Sequence, residues 1–582
     1  VSFVPAILLQ AASAFAPFHL VARGERQPAS GDDARAASSA WWANQGGTGL
    51  AVMDDRIRSD QDILHYRLAV EIPDSGRAFR ASVAIHYAVR GGQGPLVLDF
   101  DSVFVVDSVQ AGGGRLESGE ERRGEARRGV SGWRLVRGAE GWELRVPHWG
   151  NPGDTLEVVI GYHGRPRDGL FIQPNVHGER TAFADNWPNR ARYWFPAADH
   201  PSDKATVAFD VSVPAGWRVI ANGAAAGVDT LRGESGRTRW RWVTRRPIPT
   251  YTMVIGAGPM AVTSLGDVAG AEQSVWTFRQ DSAFAVEGPF RRARDMVEAY
   301  SRMIGPFPYE KLAHVQASTR FGGMENSSAI FYAERSFRQR SLTESTVAHE
   351  IAHQWFGDAV TERDWHHLWL SEGFASYLEP LFFEQAGELP AFRASLEGKR
   401  RVYLASDVVG RPVIDTTVRD LFDLLNANNY SKGAWILHML RTEMGDSAFF
   451  DGLRAYYRGL RDSTALSSDF AAVMERYSAK PLEAFFRQWL LQPGYPRLEV
   501  RWRYNGGALA LDVEQTQPEG WGLFELSLPV RVELEPGRRL DRVVPLTGRK
   551  DTIEWDVDAM PVSVVVDPEA TLLLEAVVRR AR

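Results

Sequence analysis

Two histidines four positions apart, His349 and His353, enclose a glutamate at 350, and a second glutamate, Glu372, follows after 18 intervening residues. On a helix this spacing sends both imidazoles from the same face, one turn apart. Ser341-Leu-Thr-Glu344 fits a capping box that starts such a helix, and Gly357 is placed to end it. Trp369 to Gln385 reads as a second helix with Glu372 near its start. If Glu372 is to join the two imidazoles, the second helix must pack against the first. That requirement constrains the fold more than any other feature of the chain.

The rest of the sequence frames this pair. A chain of 582 residues exceeds one ordinary core and suggests about three or four domains. From Asp62 the pattern alternates in short runs: His65 to Ile72, Phe79 to Val89, Leu96 to Phe100 and Val103 to Val109. Further runs lie at Leu156 to Ile160, Ala205 to Val213, Trp217 to Ala221 and Thr250 to Gly256. Separated by Gly, Pro and Asp, they are the signature of an antiparallel β domain. Gly112 to Gly129, Gly-rich and of mixed charge, reads as a solvated hairpin excursion.

Near Val286 the spacing turns helical. Phe290, Ala293, Met296, Val297 and Tyr300 share one face, and helical runs follow at 342–357, 369–386, 430–444 and 480–491. After Gly494-Tyr-Pro alternation returns, from Leu498 to Arg503 through to Val562 to Val566, as a small β-sandwich. The expected division is an N-terminal β domain over 46–262, a mostly helical domain over 263–494 and the sandwich over 495–582.

Composition excludes several classes. The formal charge of −6 is small for this length and predicts no nucleic-acid partner and no polybasic membrane contact. No segment is long and apolar enough to span a membrane. Without cysteine there is no disulfide and no thiolate metal site. Val1 to Leu9 is mostly apolar, and Ala14-Phe15-Ala16 has the small-x-small form of a signal-peptidase site. Residues 1–16 therefore read as a signal peptide and 17–45 as a linker or disordered arm, so the expectation is a secreted or periplasmic protein. The basic n-region is missing and the first residue is Val; a mis-called start would leave the protein cytoplasmic.

Two neutral imidazoles and one carboxylate make a three-ligand zinc site with a fourth position open to water, so His349, His353 and Glu372 are the expected ligands of one Zn2+ per chain. His-Glu-x-x-His is the pattern of zinc peptidases, in which the central glutamate is the general base. Glu350, beside the first ligand, can take a proton from water whose pKa the metal lowers. His366 and His367 fit no ligand spacing and read as packing or surface residues, and His438 as a core histidine.

Four further stretches, together with this motif, resemble the M1 family of zinc aminopeptidases, the gluzincins related to aminopeptidase N and leukotriene A4 hydrolase. Phe321-Gly-Gly-Met-Glu-Asn326 is similar to the family's exopeptidase motif, and Tyr430-Ser-Lys-Gly-Ala434 to the segment with its catalytic tyrosine. Trp489-Leu-Leu-Gln-Pro-Gly-Tyr-Pro496 looks like the end of its catalytic domain, and Arg190 to Pro201 like a stretch of its N-terminal domain. The resemblance implies a multidomain α+β fold: an N-terminal antiparallel β domain, a thermolysin-like, mostly helical catalytic domain and a small C-terminal β-sandwich. It also implies an aminopeptidase acting on peptides with a free N-terminus. Gly322, Gly323, Met324, Glu325 and Asn326 would line the substrate, with the two glycines allowing close backbone approach. Glu325 would bind the α-ammonium, and Tyr430 would donate to the developing oxyanion.

One departure stands out. Family members carry a second amine anchor, a Glu or Gln, where this chain has Trp187. Asp185, two positions earlier, could supply the missing carboxylate. The chain as given ends after the sandwich, without the helical C-terminal domain of many relatives, so a more open cleft is expected. The alternatives are a zinc endopeptidase or dipeptidase with altered N-terminus recognition, and a non-catalytic scaffold. The scaffold is disfavoured by the complete set of ligands, Glu350 and Tyr430.

Overall fold

The computed structural model describes residues 58–581, apart from 92–93, 119–131, 149, 232, 234–235 and 536. The expected signal peptide and arm, and residues 119–129 of the Gly-rich run, lie outside the described residues. The first half is built on a twelve-stranded sheet and a smaller four-stranded one. Strand Gln61–Glu71 alternates buried and partly exposed positions, as its sequence predicts. It pairs antiparallel with Phe79–Val89 on one side and parallel with Lys204–Val213 on the other. The large sheet is thus mixed, a correction to the antiparallel expectation. Alternation reports one buried face and not the direction of the neighbour; the parallel pairing depends on the long excursion from Glu71 to Lys204. The smaller sheet orders Arg218–Ala221, Ile255–Gly258, Arg180–Ala184 and Leu170–Pro174, and it ends one strand immediately before Asp185.

A second mixed sheet, of five strands, carries the site. Its order is Met260–Val268, Ala271–Phe278, Lys311–Ala317, Ala329–Ala333 and Gly323–Met324. Lys311–Ala317 and Ala329–Ala333 are buried at every position, so they show no alternation from which a strand could be read. Met260–Val268 runs across residues 262 and 263. The edge strand Gly323–Met324 brings the exopeptidase-like loop beside the helices.

Helix Ala293–Met303 buries Ala293, Met296, Val297 and Tyr300, the face read from the sequence. The Tyr300 hydroxyl lies 3.1 Å from both Ala348 O and Leu378 O, on the two helices of the histidine–glutamate pair. The motif helix spans Glu344–His353, and its N-cap is Thr343, whose hydroxyl accepts from Thr346 N at 3.2 Å. This corrects the capping box placed at Ser341. Glu344 is the first helical residue and pairs instead with Arg291 and Arg292 at 3.4 Å each. The helix also ends before Gly357, which follows at a φ of 120°. A Cβ there would overlap Ser371 Oγ and stand 2.9 Å from His353 Nδ1, so glycine is needed for close approach rather than for ending the helix.

The second helix, Trp369–Gln385, packs against the first as required. Asn428–Lys432 forms a π-turn leading into helix Gly433–Met444. Helices Leu389–Leu404, Asp446–Leu460 and Ser467–Tyr477 complete the region and were not singled out by periodicity. The C-terminal strands form a four-stranded sheet and a three-stranded sheet, with Arg497–Asn505 parallel to Glu575–Arg580. No described helix is long and apolar enough to cross a membrane.

Candidate active site

The helix pair brings three ligand atoms to one point. His349 Nε2 lies 3.2 Å from Glu372 Oε2, His353 Nε2 lies 3.3 Å from the same oxygen, and the two imidazole nitrogens are 3.1 Å apart. Tetrahedral zinc, with bonds of about 2.0–2.1 Å, holds its ligand atoms about 3.3 Å apart. The donors and their spacing therefore fit zinc. His353 turns its Nδ1 toward Phe356 O at 3.2 Å and Ser371 Oγ at 3.1 Å, which fixes the ring so that Nε2 faces the ligand cluster.

Burial alone would lower His353, but Glu372 and Glu325 outweigh it and push the imidazole up to about 10. Burial would raise Glu372; His353 and His349 overcome it and hold that carboxyl well below its usual range. His353, Glu325 and Glu350 also bring ligand atoms within 4.8 Å of one another. So dense a group of carboxylates calls for a compensating cation.

The predicted catalytic groups are gathered here. Glu350 is buried, and a Cβ at Gly323 would overlap its carboxylate. That glycine is required by Glu350, whereas a Cβ at Gly322 would meet open space. Burial pushes the Glu350 carboxyl well above its ordinary value, with His353 opposing. The Tyr430 hydroxyl donates to Glu372 Oε1 at 2.6 Å, and its ring lies parallel to His349, 6.2 Å between centres. Burial, reinforced by Glu372, raises the phenol and keeps it a donor. Gly373 and Gly433 make this meeting possible. A Cβ on Gly373 would stand 3.0 Å from Gly433 Cα, so the two helices touch backbone to backbone one residue from Glu372.

In the edge loop, Met324, Glu325 and Asn326 are buried. Burial pushes Glu325 up to about 7, opposed by His353 and reinforced by Glu372. Neither Asn326 Oδ1 nor Nδ2 has a hydrogen-bond partner among the described residues. Sequence reasoning missed Gln354, directly after His353. Its amide donates to Glu325 O at 3.0 Å and Asp358 Oδ2 at 2.8 Å, and its oxygen accepts from Ser328 N at 2.7 Å. One side chain thereby ties the edge loop to the motif helix. Only its position beside the motif could have pointed to it.

Asp185 lies near enough for its charge to raise Glu325. It is 1% exposed, and Oδ1 is bound by Arg190. Oδ2 has no hydrogen-bond partner among the described residues; Arg320 Nε stands 3.8 Å away. Arg190 also donates to Asp168 Oδ1 and Trp187 O, each at 2.7 Å. Trp187 is buried against Phe321, Trp365 and Phe422. His366 and His367 are buried, contacting Asp364 and Ser467 at 2.8 Å, and His438 meets the Tyr377 hydroxyl at 3.2 Å. None of the three is among the converging ligands.

Comparison with known proteins agrees with this geometry. Residues 291–489 match the Peptidase family M1 domain, and residues 63–252 the Peptidase M1 N-terminal domain. The chain belongs to peptidase family M1. It is 28% identical over 396 residues to probable aminopeptidase 2 of Sulfurisphaera tokodaii, covering 65% of this chain and 49% of that one. To aminopeptidase N of Lactococcus lactis it is 30% identical over 397 residues, 61% of this chain and 44% of that one. The chain thus spans about half the length of the curated relatives it matches. Among solved structures, the M1 zinc metallopeptidase from Deinococcus radiodurans aligns with a TM-score of 0.63 at 27% identity, covering 75% of this chain and 95% of that one.

Proposed function

We propose that this chain is a zinc aminopeptidase that releases the first residue of peptides with a free N-terminus. The observation that carries this reading is the convergence of His349, His353 and Glu372 with the buried carboxylate of Glu325 beside them. When bound by the three ligands, zinc supplies Lewis acidity and makes a water acidic enough to lose its proton near neutral pH. Glu350 takes that proton during attack on the first peptide bond and hands it to the leaving amine. Tyr430 turns its hydroxyl from Glu372 toward the attacked carbonyl oxygen. Glu325 accepts from the α-ammonium, and Oδ2 of Asp185, which has no hydrogen bond among the described residues, offers a second acceptor. Met324 and Asn326 line the same loop. A mutant of a similar two-domain M1 zinc metallopeptidase has been solved with L-tryptophan bound, which accords with an amino-acid subsite.

The test compares fluorophore release from free and N-acetylated aminoacyl substrates, by wild type and Glu350→Gln. Free-amine substrates should be strongly preferred and the variant inert. Equal rates on blocked substrates would point to the second reading, an endopeptidase; Arg190's hold on Asp185 Oδ1 favours it by weakening the amine clamp.

The expected division at 46–262, 263–494 and 495–582 is proposed as domain structure on the switches of periodicity, with the first boundary drawn before Met260 because strand Met260–Val268 belongs to the five-stranded sheet. Export is proposed on the apolar opening and Ala14-Phe15-Ala16. N-terminal sequencing of the mature protein after expression with its leader should begin near residue 17.

A further inference from the structure

Around Asp185, whose charge reaches Glu325, stand aromatic rings and two arginines that the proposed reaction does not use. Arg190 lies between Phe321 and Phe422, 5.9 and 6.0 Å from their ring centres, and is fully engaged by Asp185, Asp168 and Trp187 O. Arg320 differs. Its side chain is 48% exposed, and its ion pairs are long, 3.4 Å to Asp168 and 3.8 Å to Asp185. Its guanidinium lies over Phe422, 5.6 Å from the ring centre. Arg320 directly precedes Phe321 in the loop that runs through Gly322 and Gly323 to Glu325.

On the aminopeptidase reading, a peptide whose ammonium sits at Glu325 and Asp185 would send its first side chain off beside that loop, toward Phe321, Phe422 and a positive charge with only long ion pairs. We infer that Arg320 is a specificity-determining residue, forming with Phe321 and Phe422 a wall that takes acidic and aromatic first side chains and disfavours lysine and arginine. The inference rests on the aminopeptidase reading. A guanidinium pairs with a carboxylate and stacks on an aromatic face, and it repels a like charge. Arg190 cannot play this part because its donors are already spent inside the protein.

The test measures kcat/KM of the full chain, zinc-loaded, on glutamyl, phenylalanyl, alanyl and lysyl fluorogenic amides, for wild type, Arg320→Lys and Arg320→Glu. The readout is the ratio of glutamyl to lysyl turnover. Both substrates see the same preparation, so the fraction of folded enzyme cancels. An exposed ion pair changes affinity by up to about fivefold. Charge reversal alters attraction and repulsion for both substrates, so the ratio should fall about tenfold in Arg320→Glu and hold in Arg320→Lys. A fall of less than about threefold in Arg320→Glu overturns the assignment while leaving the aminopeptidase reading intact. A wild type inert toward every free-amine substrate overturns both. The same reversal is expected by calorimetry in the Kd ratio of Glu-Ala-Ala to Lys-Ala-Ala, on Glu350→Gln with and without Arg320→Glu.

Discussion

Tyr430 donates its hydroxyl to Glu372 Oε1 at 2.6 Å while Oε2 of the same carboxylate faces His349 Nε2 at 3.2 Å. The proposed metal ligand and the proposed oxyanion donor are thus joined by a direct hydrogen bond. On the proposed mechanism the Tyr430 hydroxyl has two tasks, to orient Glu372 at rest and to stabilise charge during reaction.

Tyr430→Phe should therefore lower kcat by roughly a hundredfold or more, the scale of a lost oxyanion donor. Because a ligand loses its outer hydrogen bond, zinc affinity should also weaken, by about tenfold. Chelator competition separates the two effects. Unchanged affinity with reduced kcat would leave only the catalytic role.

Glu325→Gln keeps the side chain's shape but removes the charge offered to an ammonium. A charge-assisted hydrogen bond of about 1.5–3 kcal/mol corresponds to roughly 10- to 100-fold in kcat/KM on free-amine substrates. Acetylated substrates should gain relative to free ones. A variant that discriminates as well as wild type would remove Glu325 from the amine subsite.

Gly433→Ala places a methyl group 2.9 Å from Gly373 Cα. Overpacking of this kind costs about 1–3 kcal/mol and separates the helix of Glu372 from the one that the π-turn of Tyr430 leads into. Both a lower melting temperature and a lower kcat are expected. A variant of wild-type stability would show that the helix contact relaxes freely.

Removing zinc should abolish hydrolysis, and stoichiometric zinc should restore it. The melting temperature of the metal-free chain should fall, since a ligand bound only by the folded state stabilises it by mass action. A melting temperature indifferent to zinc would mean that these three residues hold no metal.

Lys311 offers a pH test remote from the metal. Its ammonium is buried, donating to Ala221 O at 2.8 Å and Ser328 O at 3.0 Å, and burial pulls its pKa down to about 7. Between about 7 and the ordinary value of 10.5 the unfolded chain binds a proton that the folded chain lacks, so stability rises with pH across that window. Relative to Lys311→Met, wild type should gain up to about 1.4 kcal/mol per pH unit above 7 and run parallel below it. Urea unfolding from pH 6 to 9 measures this. A constant gap between pH 7 and 9 rules the titration out.

The gathering of the candidate residues was largely legible because the stretches that carry them are short. His349, Glu350 and His353 lie on one turn, and Glu372, Glu325 and Tyr430 sit in short stretches whose neighbours mark them. What stayed hidden depends on partners distant in sequence. The parallel strands Lys311–Ala317 and Ala329–Ala333 are buried on both faces, so nothing alternates. By residue type Ser341 is the better cap of the two, and only the path of the chain selects Thr343. That Asp185 gives one oxygen to Arg190 and leaves the other without a hydrogen bond among the described residues follows from side-chain direction, which residue type does not encode.

Gln354 carries a consequence of its own. By gripping Glu325 O and Ser328 N from the residue after His353, it ties the proposed metal ligands and the proposed amine acceptor together like the two jaws of a caliper. If those roles hold, the device counts backbone atoms: it is expected to take one α-amino acid, and a first residue lengthened by one methylene, as in a β-amino acid, should put its carbonyl out of reach. Gln354→Leu, which frees the jaws, should narrow the difference between α- and β-aminoacyl substrates even as it slows both.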